Sequence, residues 1–283
     1  MLSVPEKVAL LAAHIGIDMA GVCCVGLTLV ALLVPPSGGG ATSVRAARLL
    51  VPAAGAWLVL VLAAVVLRAA DAAGRPVAGL GAVELATWAT KLSAGRGMVL
   101  TAGCVALVFG CAVGALRRPA RVRARVPLFA ALLALITSAV TGHASTDPGR
   151  FAVLALAVHV VAAALWVGGL AALVCLIARD RAQLDAALPP FSRLAAACLA
   201  AVAVTGFVTT TTRLPAWDAL VTTGYGRLVV AKIVCLAAIG GLGGLARRRL
   251  LTHRTPVLRW AGYELAAMAV TLGLAATLAQ TPT

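Results

Sequence analysis

The sequence predicts an all-α fold: a polytopic membrane helical bundle of about eight transmembrane helices, arranged as two parallel four-helix repeats. Three observations carry this expectation. Hydrophobic residues make up 62% of the 283-residue chain and charged residues only 12%, about half the charged share of a soluble domain, and the mean hydropathy is +1.03. The apolar residues gather in runs of about 20 or more, the length that crosses hydrocarbon at a rise of about 1.5 Å per residue. Finally, a set of polar residues recurs at a fixed offset along the chain.

Spans are expected near 8–34, 49–70, 97–116, 127–146, 150–178, 192–213, 226–246 and 260–280. Pro35-Pro36-Ser37 and the three glycines behind it end the first, and Arg117-Arg118-Pro119 ends the third. The first run, Val8 to Val34, is long enough to span and lacks a basic leader, so it reads as a helix and not as a cleaved signal. The longest connection runs from Asp71 to Arg96. Its Val83–Leu92 stretch, with Glu84, Trp88 and Lys91, is expected to form a short interfacial helix.

A net charge of +15 invites a nucleic-acid reading, but the basic residues sit in short connections between spans and not on one face. The connections after the odd-numbered spans hold fifteen Lys and Arg, and the other side holds eight. By the positive-inside rule the odd connections are cytoplasmic. Both termini are then extracytoplasmic, in the inner (plasma) membrane of a bacterial-type cell. All seven cysteines lie inside apolar runs, with no CxxC pair and no loop framework, so a disulfide scaffold is not expected.

The recurrence is specific. His14, Arg48-Leu49 and Arg68 return as His159, Arg193-Leu194 and Arg213, all at offset 145. After the long connection the offset becomes 131, where Gly95-Arg96, Cys104 and Arg117-Arg118 return as Gly226-Arg227, Cys235 and Arg248-Arg249. Each change of offset falls in a loop, where insertions are tolerated. The units are expected at 1–148 and 149–283, in the same orientation, related by an axis along the membrane normal. His14 and His159 would then lie at equal depth on equivalent helices.

Ionisable residues inside spans are costly, so each is a candidate for function. His14 and Asp18 share a face of span one at i,i+4. His159 and Trp166 stand two turns apart on span five, and His143 lies near the outer end of span four. Imidazole suits copper and iron, while thioether and thiolate favour Cu(I). A single intramembrane histidine is ordinarily an interhelical hydrogen bond; three in the outer half, two of them repeat-related, favour a metal site at His14, His159 and His143. Asp18 would orient His14 or take a proton. Met19, Lys232 and Glu264 are supporting candidates, the last on an inward exit path. No phosphate-binding glycine loop or metal-hydrolase motif is present, and the chain is read as a non-enzyme.

One further pattern bears on function. His159, then Trp166-Val167-Gly168-Gly169, then Phe191-Ser192-Arg193-Leu194, Tyr225-Gly226-Arg227, Lys232, Glu264 and Gln280-Thr281-Pro282 follow in a fixed order. This combination resembles the copper-resistance protein D (CopD/PcoD) family, whose domain would cover roughly 150–283. The earlier spans, with Thr141-Gly142-His143-Ala144, resemble the N-terminal half of its eight-span members. Some actinobacterial relatives continue into a cytochrome-oxidase assembly domain, and this chain is placed with those lacking that fusion. The resemblance implies copper transport across the inner membrane toward the cytoplasm. Its implied partners are the copper ion, the lipid bilayer, and a periplasmic copper-binding protein or the oxidase-assembly machinery; nucleic acid is not among them. Two alternatives stay open: a b-type haem redox protein with bis-histidine ligation, and a factor that delivers copper to an oxidase without transporting it.

Overall fold

The computed structural model describes residues 3–34, 40–117, 124–142 and 150–213, with scattered helical residues between 230 and 241. Every element among them is helical: α1 (Val4–Leu33), α2 (Gly40–Ala72), α3 (Ala82–Lys91), α4 (Ser93–Arg117), α5 (Arg125–Gly142), α6 (Arg150–Ala163), α7 (Gly169–Ile177) and α8 (Arg181–Arg213). A short 3-10 turn at Val77–Gly79 precedes α3, and a π turn at Ala164–Gly168 joins α6 to α7. Five stretches are long and apolar enough to cross a membrane: Val4–Leu33, Gly40–Ala72, Ser93–Arg117, Phe151–Ile177 and Arg181–Val208. Arg125–Thr141 is a shorter apolar helix. These coincide with the first six expected spans; of span seven only scattered helical residues are described, and span eight lies outside the described residues.

The helices outrun the apolar segments that signal them. α2 starts at Gly40, well before the expected 49, and α8 at Arg181, well before 192. Hydropathy finds only the lipid-facing middle of a helix, whereas backbone hydrogen bonding continues through its polar end. Pro52 lies inside α2, and Pro189 and Pro190 inside α8, without ending either helix. The interfacial helix expected at 83–92 is α3, with Trp88 buried beneath it and Glu84 paired to Arg75 at 3.4 Å.

Burial singles out two central helices. In the most apolar window of each, 50% of α1 and 56% of Phe151–Ile177 are buried, against 28% for α2, 28% for α4 and 22% for α8. α1 packs on α2, α5, α7 and α8, so it is the hub. α2 turns a single stripe toward the core, Leu50, Ala54, Trp57, Val61 and Ala64, at the 3–4 residue spacing of one helix face. α4 does the same with Met98, Thr101, Val105, Val108 and Ala112, and the Thr101 and Thr137 hydroxyls join it to α5 at 2.8 Å.

The close crossing of α1 with span five depends on two glycines. A methyl group on Gly26 would run into the backbone carbonyl of Gly168, and one on Gly168 would run into the carbonyl of Val22. The backbones are in direct contact there, the small-residue packing that lets apolar helices associate in lipid. Gly169, next to it, faces the Phe191 ring of α8 and the Leu29 side chain.

Candidate functional site

His14 lies ten residues into α1 and is half-buried. Helical side chains lean toward the N-terminus, which brings its Nδ1 within 2.7 Å of the Leu10 carbonyl one turn earlier. A carbonyl can only accept, so Nδ1 carries the proton and, in the neutral ring, Nε2 presents a lone pair. That lone pair is taken. Nη2 of Arg68, near the end of α2, donates to it, and Nη1 of the same guanidinium donates to the Thr141 carbonyl of α5 at 3.4 Å. Arg68 thus ties three helices together at one end of the bundle. Its Nε is buried and lacks a hydrogen-bond partner among the described residues.

His159, on α6, is also half-buried, and its Nδ1 stands 2.9 Å from the Thr205 hydroxyl of α8. Thr205 gives its own proton to the Ala201 carbonyl at 2.7 Å. The hydroxyl oxygen therefore accepts from the imidazole, and His159 takes the same tautomer as His14, with its lone pair on Nε2. Such a bond to the far ring nitrogen is the usual way a protein fixes the tautomer and direction of a metal-binding imidazole. His14 is thus held by Leu10 of its own helix and by Arg68 of α2, and His159 by Thr205 of α8. At His14 the Nε2 lone pair meets the Arg68 guanidinium.

The other sequence-predicted residues are placed as follows. Asp18 lies one turn beyond His14 on α1 and is exposed, as is Met19 beside it. The group that orients His14 is the Leu10 carbonyl. Trp166 is buried within the π turn, which interrupts the regular helical spacing between it and His159. The turn takes in Trp166, Val167 and Gly168 of the Trp-Val-Gly-Gly segment, including the Gly168 contact with α1, so the motif marks a distortion of the backbone as well as a side chain. Single π turns inside α-helices occur frequently at functional sites. His143, Lys232 and Glu264 lie outside the described residues. Among the described residues no group of three or more His, Cys, Asp or Glu side chains converges to hold a metal.

Sequence reasoning passed over Arg68 and Thr205 as partners. Arg68 was legible only through the recurrence, since the offset that relates the histidines also relates Arg68 to Arg213. Thr205 stood in the sequence only within the Thr205-Gly206 step of the family pattern, with no partner assigned to it.

Residues 4–153 match the copper resistance protein D-like N-terminal domain, and residues 185–278 match copper resistance protein D. The chain belongs to the copper resistance protein D family. The N-terminal match alone covers more than half of the chain and includes His14, Arg68 and Thr141. The second match includes Thr205, while His159 and the π turn fall in the stretch between the two. No curated protein and no solved structure gives a match. Membership implies a copper-handling role at a membrane, consistent with the long apolar helices.

Proposed function

We propose that this protein carries copper inward across the cell membrane, holding the ion between its two four-span units, 1–148 and 149–283. His159 is the primary ligand, and His14 joins once Arg68 withdraws from its Nε2. His143 serves uptake at the outer face and Glu264 serves release at the inner one. The observation that supports this reading best is the Thr205 hydroxyl behind His159, which fixes the tautomer and direction of the ring as at metal-binding imidazoles. Neutral imidazole of that kind suits copper. The haem alternative would call on Nε2 of both histidines, and it meets the Arg68 guanidinium at one of them.

Cells expressing the protein at limiting copper should accumulate more of the metal than cells without it, measured by elemental analysis. His159→Ala should remove the gain while leaving the protein in the membrane at an unchanged level. Equal accumulation with and without His159 would sink the transport reading. If the purified protein still bound copper, delivery to an oxidase would take its place.

The orientation has its own test, because inward movement needs the outer face assigned correctly. Cysteine labelling in whole cells should find Thr146 and the C-terminus accessible from outside. Ala120 and His253 should react only after the membrane is opened. A protected C-terminus would mean an odd number of spans.

A further inference from the structure

A cleft of about 670 Å³ opens between the start of α2 and the end of α7. Three guanidinium side chains line it: Arg45 and Arg48, one turn apart on α2, and Arg179 in the turn that follows α7. All three are exposed, and none is paired with a carboxylate among the described residues. The nearest acid in sequence, Asp180, is already engaged. It accepts the Gln183 backbone N–H at 3.2 Å and the Gln183 side-chain amide at 2.7 Å. Gln183 in turn accepts the Thr42 hydroxyl of α2 at 2.7 Å. This chain of bonds clamps the first turn of α2 to the α7–α8 connection and fixes the spacing of the three cations.

The walls of the cleft carry the second half of the chemistry. One helical turn from Arg45 lies Leu49, and one turn from Arg179 lies Cys175; both are exposed to the surroundings of the bundle. On both helices, then, an apolar surface continues from the arginine into the depth of the membrane-crossing segment. A soluble anion has no use for that surface. A molecule with an anionic head and hydrocarbon tails matches both parts. Guanidinium groups bind phosphate oxygens through paired, charge-assisted hydrogen bonds, and basic pockets between membrane helices are suited to anionic lipid heads.

We infer that this cleft is a binding site for an anionic phospholipid, its phosphate held by Arg45, Arg48 and Arg179 and its acyl chains lying along Leu49 and Cys175. The site is separate from the histidines and does not depend on the copper reading.

The test uses the full-length protein purified in a neutral detergent, titrated with short-chain phosphatidylglycerol, with phosphatidylcholine of equal chain length, and with inorganic phosphate. Binding is read as the rise in the thermal unfolding midpoint with ligand concentration. Phosphatidylglycerol should raise the midpoint, and the other two should not. Arg45→Gln, Arg48→Gln and Arg179→Gln should each weaken the phosphatidylglycerol response by about tenfold, the worth of one charge-assisted contact. Arg117→Gln, an exposed arginine outside the cleft at the end of α4, should leave the response unchanged. The single variants keep the test valid if a triple replacement fails to fold. An equal response to phosphatidylcholine, an equal response to phosphate, or an unaltered response in all three cleft variants would each overturn the proposal.

Discussion

Alanine at Gly168 is expected to cost this protein about 3 kcal/mol or more of stability, the upper end of what overpacking does in a tight interior. The reason lies in what the added methyl meets. At most buried positions an extra methyl pushes against a side chain, which can change rotamer. At Gly168 it meets the Val22 carbonyl, and at Gly26 it meets the Gly168 carbonyl. Neither backbone can move without shifting a whole helix, and the helices concerned are the two most buried candidate spans. Gly26→Ala should do the same damage, and the double variant should cost less than the sum, because the first substitution already separates the pair. Gly103 and Gly110 on α4 supply the comparison, since a methyl there enters open space. Alanine at either should be neutral or should stabilise by up to about 1 kcal/mol through helix propensity. The check is the thermal unfolding midpoint of the detergent-purified variants. A Gly168→Ala protein that melts with the Gly103→Ala protein would mean that this crossing does not hold the bundle together.

That crossing also shows where the sequence was readable and where it was not. A Gly-Gly pair in an apolar run announces close helix packing, and the run length announces a span. Neither says that Gly168 would meet the first helix and Gly169 the Phe191 ring. That assignment depends on the rotation of the helix, and the π turn at Ala164–Gly168 resets the rotation by inserting hydrogen bonds of a different register. Helix ends were unreadable for a related reason. The polar first turns of α2 and α8 carry no hydropathy signal, yet they hold Thr42, Arg45, Arg48 and Gln183, which build the basic cleft. The histidines were conspicuous because charge and polarity inside apolar runs are rare. Their partners were not, because Leu10 acts through its backbone, and Thr205 and Arg68 come from other helices. The recurrence at offset 145 placed a histidine and an arginine in each half; which atoms meet is a matter of side-chain direction, to which periodicity is blind.

Replacing Arg68 with leucine should raise the affinity of the purified protein for Cu(I) by about tenfold or more, measured by competition with a chromophoric chelator. The argument begins from the two nitrogens of His14. Nδ1 is bound to the Leu10 carbonyl and so holds the ring's proton. The ring's one lone pair, on Nε2, accepts from Arg68. A lone pair serves one partner at a time, and a cation arriving there also faces the positive charge of the guanidinium. A hydrogen bond involving a charged group is worth about 1.5–3 kcal/mol, and each 1.4 kcal/mol is about a factor of ten in affinity. Leucine keeps much of the apolar body of the side chain without the charge, the donors or a thioether that would itself bind Cu(I), so the packing between α1, α2 and α5 should survive. The gain should disappear in the Arg68→Leu, His14→Ala double variant, because it arises at His14. It should persist in part when Arg68→Leu is combined with His159→Ala, which leaves the freed imidazole in place. An affinity unchanged by Arg68→Leu would show that copper does not use His14. A fall in affinity would reverse the role of the arginine, from a group that withholds His14 to one that supports the site by bracing α2 against the Thr141 carbonyl.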